Sequence, residues 1–126
     1  MERKHVFAVN GSPEFLDVIR EMFQDESYNV TTTNFVPETL DQVAALQPDL
    51  LLIDLVFRSR AGWELLERLR ADALTRCIPV IVTSTDRDML EYAEADRDRF
   101  AGNRYLVKPF DIDEIMSTVH EMIGTA

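Results

Sequence analysis

A carboxylate and an ammonium stand at the ends of two apolar runs. Asp54 closes Leu50-Leu51-Leu52-Ile53, and Lys108 closes Tyr105-Leu106-Val107 just ahead of Pro109. A charge placed directly after a buried strand is costly to bury. Each therefore belongs at the strand's mouth, the edge of an open α/β sheet where ligands bind. A carboxylate there is a candidate nucleophile, and a lysine ammonium is a flexible point charge suited to phosphate. Lysine is scarce, two against eleven arginines, so a lysine at 108 suggests a position arginine would not serve. A third apolar run, Pro79-Val80-Ile81-Val82, ends in the hydroxyls Thr83, Ser84 and Thr85. The first, Val6-Phe7-Ala8-Val9, ends in Asn10-Gly11 with no carboxylate.

Apolar runs alternate with amphipathic segments throughout. Strands are expected at Lys4 to Val9, Tyr28 to Thr33, Leu50 to Asp54, Pro79 to Thr83 and Arg104 to Val107. Most are short and continuously apolar, as in a parallel sheet covered on both faces; the Thr-rich second reads as an edge strand. Phe15, Leu16, Val18, Ile19, Met22 and Phe23 form a helical stripe, with Ser12 as N-cap and Pro13 at the first helical position. Val36, Leu40, Val43, Ala44 and Leu46 mark a second helix ended by Pro48, and Leu65, Leu66 and Leu69 a third. The fourth, Asp86 to about Arg99, has a poor stripe. The fifth carries Ile112, Ile115, Met116, Val119, Met122 and Ile123, with Asp111 and Glu114 as an aspartate form of the capping box. Five βα units in series imply a doubly wound parallel sheet in one domain spanning residues 1–126.

Composition limits the function. The chain has 126 residues and a formal net charge of -10, which opposes nucleic acid and anionic membranes. Cys77 is the lone cysteine, so no internal disulfide forms, consistent with a cytoplasmic protein. No apolar stretch approaches membrane-spanning length, and Val6 to Val9 is too short for a signal-peptide core. Asn10-Gly11-Ser12-Pro13 matches no glycine-rich dinucleotide loop or P-loop, and no Ser-His-Asp or metal cluster stands out. An enzyme on this fold is therefore the least supported class.

The chain resembles the receiver domain of two-component response regulators along nearly its whole length. The resemblance rests on Leu-Leu-Ile-Asp54, Gly62 eight residues later, Pro79-Val80-Ile81-Val82-Thr83-Ser84 and Tyr105-Leu106-Val107-Lys108-Pro109-Phe110. It implies a flavodoxin-like sheet of order 2-1-3-4-5. It also implies Asp54 as phosphoacceptor, Lys108 and Ser84 as phosphate contacts, Tyr105 as the switch aromatic, and a cis bond before Pro109. The partners it implies are a histidine kinase or phosphotransfer protein, and a downstream protein on the face of helix 4, strand 5 and helix 5. On that face Arg97, Arg99 and Arg104 would surround Tyr105. Family members hold Mg²⁺ with two acids after strand 1, the phosphoacceptor and a backbone carbonyl, here Val56. The acidic positions are Asn10 and Gly11, so three candidate carboxylates fall to one and Mg²⁺ binding is expected to be weak or absent. Two readings follow: a receiver with an impaired metal site, or a pseudo-receiver that only binds proteins.

Other residues read plainly. Glu14 is a helix-start acid favoured by the dipole. Arg58 and Arg60 read as solvated loop residues, the alternative being that they lean toward Asp54. His5 and His120 read as surface residues, Trp63 as packing and Cys77 as a small apolar filler.

Overall fold

The computed structural model describes residues 3–34, 38–56, 59–96, 98–100, 103–109 and 111–124, without the side chain of Ile112. The expectations for Val36, Arg58, Arg97 and Phe110 lie outside these residues. Five units alternate: β1 (His5–Val9), α1 (Pro13–Asp25), β2 (Asn29–Thr33), α2 (Thr39–Leu46), β3 (Leu50–Asp54), α3 (Ala61–Ala71), β4 (Val80–Ser84), α4 (Arg87–Ala95), β5 (Arg104–Val107) and α5 (Ile112–Ile123). The strands form one sheet of order β2-β1-β3-β4-β5, and every pair is parallel.

Strand side chains alternate between faces, and the core divides accordingly. Phe7, Val9, Leu51, Ile53, Val80 and Val82 pack with Val43 of α2, with Leu65, Leu66 and Leu69 of α3, and with Leu90 and Ala93 of α4. Val6, Ala8, Leu50, Leu52 and Ile81 pack with Leu16, Ile19, Met22 and Phe23 of α1 and with Ile115, Met116 and Val119 of α5. Central strands must therefore be apolar on both faces, and β3 and β4 are buried at every position. The fold is doubly wound, as the alternation of elements implies, and its sheet order is the flavodoxin-like one that the family resemblance implies.

Local chemistry sets the helix starts. Ser12 Oγ accepts from the Phe15 N–H, with Pro13 in the first turn. Asp86 accepts from the N–H groups of Asp88 and Met89 to start α4. The capping box at α5 does not form. Asp111 is the N-cap, but its side chain makes no cap hydrogen bond, and its carbonyl takes the N–H groups of Glu114 and Ile115.

Other expectations also shift. Helix α4 stops at Ala95, and Phe100 reaches the core from the following turn, held by its N–H to Asp96 O. Val18 and Leu46 face solvent, because each stripe is narrower than its apolar count. Cys77 is exposed and fills no core space. His5 is half-buried with Nε2 2.7 Å from Thr31 Oγ1, and His120 stacks on Tyr28; neither is a free surface residue. Trp63 packs edge-on against Phe100 and Tyr92, in keeping with a packing role.

Candidate functional site

Strands β1, β3, β4 and β5 end at one edge of the sheet. Asn10, Asp54, Thr83 and Ser84 are all buried there. Parallel pairing sets Asp54 beside Thr83, so both side chains leave the sheet on the α1/α5 face. Thr83 Oγ1 donates to Asp54 Oδ1 at 2.7 Å. Lys108 Nζ lies 2.9 Å from the same oxygen, with both side chains largely enclosed. That placement weakens solvent screening of the attraction between the two charges, against the cost of removing them from water. The ammonium also sits 4.0 Å from the centroid of the Phe15 ring, in cation–π contact. Lys108 N–H donates to Ser84 O at 2.8 Å, fixing the start of the loop, and the Lys108-Pro109 bond is cis.

Gly62 has a steric reason at this edge. A Cβ there would lie 2.9 Å from Asp54 O and 2.9 Å from Leu55 Cδ2, so the first turn of α3 packs directly on the backbone of Asp54.

The end of β1 is built differently. Asn10 Oδ1 accepts the Ser12 N–H at 2.8 Å, an Asx turn that leads into the α1 cap. Gly11 is exposed, and the nearest atom to a Cβ there is Asn34 Oδ1 at 3.9 Å. Glu14 is exposed in the first turn of α1, within 3.3 Å of Ser12 Oγ. In the β3–α3 loop Val56 O accepts the Ser59 N–H at 3.0 Å. Arg60 is solvated and 3.8 Å from Glu64, so it does not lean on Asp54.

Ser84 and Tyr105 belong to the opposite face. Ser84 Oγ accepts the Asp86 N–H at 3.0 Å and lies 3.9 Å from Met89 Sδ, tying the end of β4 to the start of α4. Tyr105 is half-buried against the α3/α4 core. The edge thus pairs Asp54 with Lys108, while Asn10 ends β1 at the same edge and Ser84 is turned toward α4.

Two participants escaped the sequence reading. Thr83 entered only as a one-residue slip of register from Ser84 in the phosphate-contacting role, not as a partner of Asp54; the parity that sets it beside Asp54 comes from the β3–β4 register. Phe15 looked like one more apolar residue in a stripe, and its contact with Lys108 spans distant parts of the chain.

The fold has counterparts among known proteins. The family model of the response regulator receiver domain matches residues 6–120. The response regulator ArlR of Staphylococcus aureus is 29% identical over 98 residues, 78% of this chain and 42% of that protein. The chain thus spans less than half the length of the curated relatives it matches. Among solved structures, a putative response regulator from Chloroflexus aurantiacus superimposes with a TM-score of 0.84 at 21% identity, covering 97% of this chain and 98% of that one. The receiver domain of sensor histidine kinase PA1611 from Pseudomonas aeruginosa, with a magnesium ion coordinated in its active-site cleft, gives a TM-score of 0.79 at 22% identity, covering 98% and 100%. The chain belongs to the response regulator receiver domain family.

Proposed function

We propose that this receiver domain accepts a phosphoryl group on Asp54 from a histidine kinase or phosphotransfer protein. The observation that carries the reading is the enclosed Asp54 carboxylate at the sheet's edge with the Lys108 ammonium 2.9 Å away. A carboxylate oxygen would form the new P–O bond as the bond from phosphorus to the donor breaks, and the leaving group would depart with the bonding pair. Lys108 would draw in the charge on the phosphoryl oxygens. Ser84 would reach them only by giving up the Asp86 N–H, which would loosen the start of α4, and Tyr105 would follow on the same face.

Mg²⁺ fits this site poorly. Of its candidate oxygens, Asp54 Oδ1 is taken by Thr83 and Lys108, Asn10 Oδ1 by Ser12 and Val56 O by Ser59, which leaves Asp54 Oδ2 as the one carboxylate oxygen without a partner among the described residues. Gly11 offers no side-chain ligand, and no trio of metal-binding side chains occurs among the described residues. Weak or absent Mg²⁺ binding favours slow phosphorylation. It also supports the second reading, a pseudo-receiver that keeps the fold and works only as a protein-binding module.

A downstream protein would dock on the α4, β5 and α5 face. There Arg104 pairs with Glu121 at 2.8 Å, while Arg99 pairs with Glu67 of α3. The face is accordingly less positive than the arginines alone imply, and a partner acid would have to compete with Glu121.

A small phosphodonor should label the full chain slowly, and Asp54→Asn should abolish the label. If neither the donor nor a cognate kinase labels the wild type, and Asp54→Asn keeps cellular function, the binding-module reading replaces this one.

A further inference from the structure

The oxygens of Asp54 are not equivalent. Thr83 Oγ1 and Lys108 Nζ both converge on Oδ1, at 2.7 and 2.9 Å. Oδ2 takes no hydrogen bond among the described residues. Thr83 is 1% exposed at the end of a central strand. Valine would match its shape and branching there, so packing alone does not call for a hydroxyl. A buried hydroxyl is unfavourable unless it is paired, and this one is paired with the site's carboxylate. At the end of β1 Asn10 is neutral and its Oδ1 holds the Ser12 N–H, and Gly11 has no side chain.

We infer that Thr83 is a positioning residue for Asp54: its hydroxyl, with Lys108, pins Oδ1 and leaves Oδ2 as the oxygen presented to an incoming phosphoryl group. The inference rests on the reading of Asp54 as acceptor. In the transfer Oδ2 forms the P–O bond, the donor's bond to phosphorus breaks, and the donor fragment leaves with that electron pair. Thr83 stays hydrogen-bonded to Oδ1, which becomes the carbonyl oxygen of the acyl phosphate. With the carboxylate held in one torsion, less orientational freedom is lost when the donor arrives.

Two substitutions separate positioning from packing. Thr83→Val keeps the shape and removes the donor; Thr83→Ser keeps the donor and removes a methyl group. Initial labelling rates by a small acyl phosphate would be measured on the full chain across donor concentrations. The expected result is a fall in the saturated rate of about tenfold for Thr83→Val, the scale of a lost hydrogen bond to a charged group. Donor half-saturation should not change, and Thr83→Ser should stay within about twofold of wild type. Wild-type labelling by Thr83→Val, or a loss in Thr83→Ser as deep as in Thr83→Val, would overturn the inference. Should the wild type take no label, the acceptor reading fails by itself. Positioning is then judged by the Asp54 carboxyl-carbon and Lys108 ammonium NMR resonances. Both should move in Thr83→Val and hold in Thr83→Ser, and unmoved resonances in Thr83→Val would overturn it.

Discussion

The end of β1 and the ends of β3 and β5 open on the same edge of the sheet, yet they satisfy their polar groups in opposite ways. At β1 the partners are local: Asn10 Oδ1 holds the Ser12 N–H two residues on, and Ser12 Oγ holds the Phe15 N–H three residues on. Each bond shapes the turn into α1 and is fully used by it. At β3 and β5 the partners are distant, Thr83 being 29 residues from Asp54 and Lys108 arriving from the end of another strand. These groups cap no helix and form no turn. Buried polar atoms must be satisfied somewhere. When the chain's own backbone satisfies them they are architecture; when side chains from separate strands satisfy one another, they remain available to a ligand.

The largest effect should come from rebuilding the β1 end as a site. Gly11→Asp, and still more Asn10→Asp with Gly11→Asp, should tighten Mg²⁺ binding by about a hundredfold or more, because each adds a hard anionic oxygen. The space around Gly11 admits a side chain without a clash. An Mg²⁺ titration followed by NMR measures it, after intact mass has excluded deamidation of Asn10 before Gly11. Equal affinities in wild type and double variant would break the comparison, since the β1 end would then not be what limits the metal. The two glycines at this edge give a companion test. Gly62→Ala forces a Cβ against Asp54 O and should cost about 1–3 kcal/mol in urea denaturation, whereas Gly11→Ala should stay within about 0.5 kcal/mol.

The same contrast explains what was legible in the sequence. The edge position of β2, the Ser12 cap and the placement of Asp54 and Lys108 at strand ends follow from runs and spacing carried by neighbouring residues, and the sheet order from the family resemblance. Thr83 and Phe15 were missed because their roles depend on which face a strand residue takes and what a helix brings over it. A shift of one residue in β4 would have exchanged Thr83 for Ser84 beside Asp54. The end of α4 was misplaced for a related reason: Phe100 continues the apolar pattern, but it reaches the core from a turn. The Asp111 cap fits the residue preference of an N-cap, but its side chain makes no cap hydrogen bond.

A smaller effect tests whether the β1 side contributes anything beyond architecture. Phe15 belongs to α1, yet its ring lies under the Lys108 ammonium. Phe15→Leu keeps an apolar side chain and removes the ring face, so it should cost about 0.5–2 kcal/mol of stability and free Lys108 to wander. Binding of beryllofluoride as a phosphoryl mimic should weaken about fivefold, on the lower part of that energy scale. Unchanged binding with lowered stability would assign the ring to the core alone and leave β3, β4 and β5 as the whole site.

The smallest effect comes from the far end of β1, where pH sensitivity should reside if the mouth is not its source. His5 has its N–H on Asp49 Oδ2 at 2.8 Å and its ring Nε2 2.7 Å from Thr31 Oγ1. Burial lowers its pKa below the ordinary value of 6.5, and the charge of Asp49 opposes that only in part. The unfolded chain therefore takes up a proton at higher pH than the folded one does. Stability is fully present above about pH 6.5 and declines as pH falls from there toward the lowered folded value. His5→Gln retains hydrogen-bonding capacity without titrating, so its urea midpoint should vary less between pH 7.5 and 5.5 than that of the wild type. Any labelling of Asp54 should keep its wild-type rate at pH 7.5, because His5 sits at the opposite end of the strand. A pH slope that survives in His5→Gln would move the titrating group elsewhere, and a changed labelling rate would mean that the two ends of β1 are coupled through the strand that joins them.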